Sequence, residues 1–178
     1  MSASLDELLA PDLLDGLTAR DLREVRALRD DAQRVEGGLS FVRRMIHGRL
    51  DIVGAELERR RRGGDPADLS DLIAQLPDLL TEHDRPPGTA ARSPRMLEVA
   101  AVPDELAAQL DQIVDIGALA DLRGLDTDAL AATADKLVAF ERWVSERRRT
   151  VQERLDHLQA EIARRYRDGE ATVDGLLA

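Results

Sequence analysis

Cysteine is absent from all 178 residues, so the chain offers no disulfide, no thiolate metal ligand and no cysteine nucleophile. Aromatic residues are nearly absent too, with one Trp, one Tyr and two Phe. Strands draw on aromatic and β-branched residues, whereas the unbranched side chains abundant here lose little rotamer freedom on a helix. An all-α fold follows. With few large rings and 34% charged residues, the core must be a narrow seam where helices pair rather than a globular interior. No apolar run approaches the roughly 20 residues that span a bilayer, and the N-terminal residues lack the apolar stretch of a signal peptide. The expectation is a soluble, cytoplasmic protein with no membrane partner. A net charge of −10 repels duplex DNA, so direct DNA binding is not expected.

The length suits a single helical domain over 1–178. Residues 1–17 carry Leu5, Leu8, Leu9, Leu13, Leu14 and Leu17, interrupted by Pro11 and Gly16, and form an N-terminal apolar segment. From about Thr18 to Arg62 the apolar residues Leu22, Val25, Leu28, Ala32, Val35, Leu39, Val42, Ile46, Leu50, Val53 and Leu57 recur mainly at steps of three and four. That spacing predicts one long helix over 18–62. Gly63, Gly64 and Pro66 stop it, and Arg59 to Arg62 stand where cations favour a helix C-terminus. A connecting region, 63–125, holds a short amphipathic segment at 66–82, a loop near 83–95 rich in Pro, Gly and Ala, and a helix opening at Pro103. Asp126 or Thr127 caps a second long helix over 126–168, with Leu130, Leu137, Phe140, Val144, Val151, Leu155, Leu158 and Ile162 on its apolar side. Residues 169–178 are a tail.

The two long helices repeat each other. Residues 36–57 laid over 141–162, a constant offset of 105, match at nine of 22 positions. The apolar seams coincide as well, including consecutive steps of four at Val42, Ile46 and Leu50. Steps of four interrupt a heptad and locally unwind a supercoil, so helices sharing the irregularity pair in register. The fold implied is an antiparallel coiled-coil hairpin of two long helices with shorter connecting helices.

One residue beyond the seam runs a polar stripe, again in two copies: Glu36, Ser40, Arg43, His47 and Asp51 on the first helix, Glu141, Ser145, Arg148, Gln152 and Asp156 on the second. Steps of four, three, four and four keep each set on one flank of its helix. A solvated flank beside a coiled-coil seam tolerates any polar residue, and repetition of Ser with Arg three later favours a binding role instead. Arginine meets guanine O6 and N7 or a phosphate as a forked donor, carboxylates accept from guanine N1 and N2, and a flat base stacks on a guanidinium. The ligand implied is a symmetric, anionic guanine nucleotide. Antiparallel packing is expected to bring Arg43 beside Arg148 and Glu36 beside Asp156, so that without the ligand the two arginines repel and the pair loosens. Trp143, outside the seam, reads either as a partner-binding anchor or as a ring lying along the hairpin.

The pattern E(x)3S(x)2R(x)3Q(x)3D, intact from Glu141 to Asp156 and with His47 in place of Gln from Glu36 to Asp51, resembles the signature of the RsiG family. The run LSFVRRMIHGRLDIV is also similar to that family's first helix, and the resemblance covers both long helices. It implies an anti-sigma factor that binds a dimer of cyclic di-GMP and, when loaded, sequesters the sigma factor WhiG, restraining genes of late sporulation. The ten stripe residues would be the ligand-binding set. Two other classes were weighed. An enzyme has little to work with, since His47, His83 and His157 are the only imidazoles and no phosphate loop or nucleophile elbow occurs. A plain coiled-coil scaffold or adaptor without a nucleotide ligand is the alternative.

Overall fold

A computed structural model describes residues 3–63 and 104–169. The short segment at 66–82, the loop near 83–95 and the helix start at Pro103 lie outside the described residues. The described elements, in order, are α1 (Leu5–Leu9), a 3-10 turn (Leu17–Ala19), α2 (Leu22–Arg61), α3 (Asp104–Ile113), α4 (Ile116–Ala120), a second 3-10 turn (Leu122–Gly124) and α5 (Thr127–Arg167). The protein is all-helical, and its two long helices, α2 and α5, pack antiparallel. No helix among the described residues is long and apolar enough to cross a membrane.

Local chemistry sets most of the boundaries. Ser4 caps α1: its hydroxyl accepts from the Glu7 amide at 3.3 Å while its own amide donates to the Glu7 carboxylate at 2.8 Å. Gly16, at φ 64, takes the left-handed conformation that opens the first 3-10 turn. This turn, followed by Arg20 in extended geometry, is why α2 begins at Leu22 instead of near Thr18. Asp126, not Thr127, caps α5, accepting from the Ala129 amide at 2.7 Å. Gly63 and Gly169 stop the two long helices at φ 75 and 76.

The seam obeys a stricter period than the sequence pattern suggests. Val25, Ala32, Leu39, Ile46 and Val53 on α2 are fully buried, as are Leu130, Leu137, Val144, Val151 and Leu158 on α5. Both sets step by seven, the coiled-coil repeat. Of the expected steps of four the first holds, Val42 being fully buried like Ile46, and the second gives way, because the residue drawn inward after Ile46 is Arg49, only 5% exposed, while Leu50 is half-buried. Glu56, seven residues on, is buried with it.

The described residues fall into two compact units, 3–41 with 143–169 and 42–63 with 104–142. In the second unit Arg49 donates to the carbonyl of Leu110 at 3.0 Å, to that of Val114, and to Asp111 at 2.6 Å. It thereby fills the unsatisfied carbonyls at the C-terminal end of α3, where a cation is also favoured by the helix dipole. Glu56 accepts from Arg59 at 2.8 and 2.9 Å and from Arg60 at 2.6 Å, and Arg60 donates to the carbonyls of Leu122 and Leu125 at 2.8 Å each. The first unit holds the counterpart. There Glu161 accepts from Arg164 at 2.9 and 3.0 Å and from Arg165 at 2.7 Å, and Arg165 donates to the carbonyls of Leu17 and Arg20 at 2.8 Å each. Glu56 and Glu161, Arg60 and Arg165, Leu17 and Leu122, and Arg20 and Leu125 are each 105 apart, so the duplication reaches beyond the stripe into the clamps that hold each 3-10 turn.

Candidate ligand-binding site

Four of the ten stripe residues assemble in the first unit. Glu36 and Ser40 lie one helical turn apart on α2, and the Ser40 hydroxyl donates to Glu36 Oε1 at 2.8 Å. From α5, Arg148 donates to the same oxygen at 3.1 Å and the Gln152 amide donates to it at 3.1 Å. Three donors from two helices thus converge on one carboxylate oxygen. Arg148 Nε is buried with no hydrogen-bond partner among the described residues. A buried donor left in that condition costs on the order of 1–3 kcal/mol.

The second unit holds the complementary cluster. Here the carboxylate comes from α5 and the cations from α2: Arg43 Nε donates to Glu141 Oε1 at 2.9 Å, and His47 Nε2 lies 3.4 Å from the same oxygen. Position for position, Glu141 corresponds to Glu36, Arg43 to Arg148 and His47 to Gln152 at the offset of 105. In each cluster the glutamate of one copy is held by the arginine and the fourth stripe residue of the other. Both carboxylates are mostly buried, with side-chain exposures of 21% for Glu36 and 18% for Glu141.

This pairing corrects one expectation. Arg43 and Arg148 are not uncompensated, because each is neutralised by a glutamate from the opposite long helix. The stripe residues at the far end of each copy, Asp51 and Asp156, are exposed and contribute to neither cluster, and Ser145 is half-buried. Trp143 is half-buried with the Arg147 guanidinium 3.5 Å from its ring centroid, and Arg147 also donates to its carbonyl at 3.3 Å. The ring is therefore stacked within its own helix.

Sequence reasoning did not find Arg49, Glu56, Glu161 or Arg165. A Glu followed three and four residues later by Arg-Arg, at 56–60 and again at 161–165, was the available signal. The arginines hold the Glu56 carboxyl down to about 2, the Arg59 hydrogen bond having the largest effect, and hold Glu161 at about 2 likewise, Arg164 first. Both carboxylates stay ionised and engaged in structure. No group of three or more His, Asp or Glu residues among the described residues could hold a metal ion.

Chemically, each cluster combines an acceptor for N–H donors, a guanidinium for an anion or a purine edge, and one further polar side chain. No curated protein sequence matches the chain. The family model described as RsiG-like matches residues 11–80 and 117–178. Those two stretches take in most of the sequence, and the chain belongs to the RsiG-like family.

Proposed function

We propose that this protein is a cytoplasmic anti-sigma factor that binds cyclic di-GMP through its two stripe clusters and, when loaded, sequesters a sigma factor of the WhiG type. Membership of the RsiG-like family suggests the anti-sigma role and implies a protein that is not an enzyme. The observation that carries the nucleotide reading is the reciprocal pairing: Glu36 with Arg148 and Gln152, Glu141 with Arg43 and His47. A largely buried carboxylate does not give up its arginine unless another donor takes its place, since an unpaired buried charge is strongly destabilising.

Guanine and its phosphodiester supply both partners at once. The N1 and N2 hydrogens replace the arginine on the glutamate, and O6, N7 or a phosphate oxygen replaces the glutamate on the arginine. The ligand thus exchanges one set of ion pairs for another without stranding a charge. Two clusters of matching chemistry offer a place for one nucleotide each, a count consistent with two molecules of cyclic di-GMP. Asp51 and Asp156, both exposed, complete the proposed set as outer contacts.

The alternative, a coiled-coil scaffold or adaptor without a nucleotide ligand, is favoured by one observation: Glu36 and Glu141 are already satisfied within the chain. Calorimetric titration with cyclic di-GMP separates the two. Binding by the wild type, lost in Arg148→Ala with helicity retained, supports the nucleotide reading, and no binding by the wild type favours the scaffold. Sigma-factor affinity must also rise with the nucleotide present, because a ligand shifts a partner equilibrium only through different affinities for the two states; equal affinities reject the switch.

A further inference from the structure

The two clusters differ in kind at one position. Beside Glu36 stands Gln152, whose amide donates at 3.1 Å and carries no charge. Beside Glu141 stands His47, with Nε2 3.4 Å from the oxygen that also accepts from Arg43 at 2.9 Å. The His47 side chain is 47% exposed, so protons reach it from solvent.

We propose that His47 makes the cluster around Glu141 a proton-coupled half of the nucleotide site, so that an anionic nucleotide taken up there brings a proton with it. This inference rests on the reading that the clusters hold an anionic guanine nucleotide. With a neutral imidazole, Arg43 and Glu141 cancel, as Arg148 and Glu36 do in the other cluster. Protonation of His47 adds one positive charge and leaves the Gln152 cluster unaltered. The imidazolium also takes over Glu141, which releases Arg43 Nε for the incoming phosphodiester.

The charged groups around His47 are of both signs. From α5 the group facing it is Glu141. From α3, Asp111 is engaged by Arg49 at 2.6 Å and Glu105 is exposed. On α2 itself Arg43 lies one turn before His47 and the exposed Asp51 one turn after, with Arg44 exposed. Imidazole is the side chain whose ordinary titration falls between about pH 5 and 8. A unit charge about 6 Å from a phosphodiester, at an effective dielectric constant of about 40, changes affinity roughly tenfold.

The test is calorimetric titration of the full chain with cyclic di-GMP at pH 5.5 and pH 8, in buffers of different ionisation enthalpy, for the wild type and His47→Gln. The expected result is an affinity about tenfold higher at the acid pH with proton uptake in the wild type, and loss of both slope and uptake in the variant. The same slope and uptake in His47→Gln overturn the inference while leaving the nucleotide reading intact. A wild type that binds at neither pH overturns both. Should the variant lose binding altogether, NMR titration of the His47 ring in the wild type decides: a midpoint raised by nucleotide supports the coupling, and an unmoved midpoint overturns it.

Discussion

Replacing Glu161 by Gln removes one charge from the clamp that ties the end of α5 to the carbonyls of Leu17 and Arg20. The carboxyl is only 8% exposed and titrates at about 2 instead of 4.5, held down first by Arg164 and then by Arg165. A difference of that size corresponds to about 3 kcal/mol of folding stability at neutral pH, at roughly 1.4 kcal/mol for each unit. The folded-state value is depressed, so this contribution is fully present above pH 4.5 and drains away as the pH falls towards 2. Urea unfolding followed by circular dichroism should therefore show Glu161→Gln less stable than the wild type by about 3 kcal/mol at pH 7, with the gap closing between pH 4.5 and 2. A deficit below about 1 kcal/mol at pH 7, in the range of an exposed pair, or a gap that does not narrow with acid would refute the assignment of this carboxylate as an ionised clamp.

Arg49→Ala should release the last turn of α3, whose carbonyls Arg49 holds. A loss of about 1–3 kcal/mol is expected for carbonyls left without their donor, with faster amide exchange over residues 104–114 as the local readout and unchanged protection there as the contrary result. Ile46→Ala, at a fully buried seam position, should cost about 2–5 kcal/mol in unfolding free energy. A similar loss at half-buried Leu50 would speak against the sevenfold seam.

The two long helices were legible because their information is local: apolar residues recur on one face for 40 residues of α2 and 41 of α5, with glycine at each stop. The seam between them was legible less faithfully. Arg49 and Glu56 occupy sevenfold positions, yet charged residues read as surface in a one-dimensional pattern, and Leu50 and Leu57 nearby read as core. What draws Arg49 inward is a set of carbonyls 61 and 65 residues away in sequence, and no spacing rule reports that. The same limit applies to the stripes. Their composition and repetition were visible from side-chain spacing, whereas the pairing of each glutamate with the other copy's arginine depends on helix register. That register also explains why the start of α2 was misplaced: the 3-10 turn at Leu17–Ala19 is gripped by Arg165, 145 to 148 residues along the chain.

The contrast between clamps and clusters bears on how a ligand can act. Both repeat at the same offset, and both pair a glutamate with arginine, but they differ in what the arginine holds. In the clamps, Arg60 and Arg165 bind backbone carbonyls as well as a carboxylate that is nearly excluded from water. Undoing one frees a buried charge and several carbonyls together, at a cost comparable to much of the stability of a domain. In the clusters, Arg43 and Arg148 hold glutamate side chains and are themselves 40% and 27% exposed. Such arginines can be reached by a ligand, and the exchange strands no charge where the ligand also supplies a donor to the glutamate. On the proposed reading a nucleotide need not assemble the hairpin, and its effect on a partner comes from which groups the stripes present, with Glu36 and Glu141 turned to the nucleotide instead of to Arg148 and Arg43.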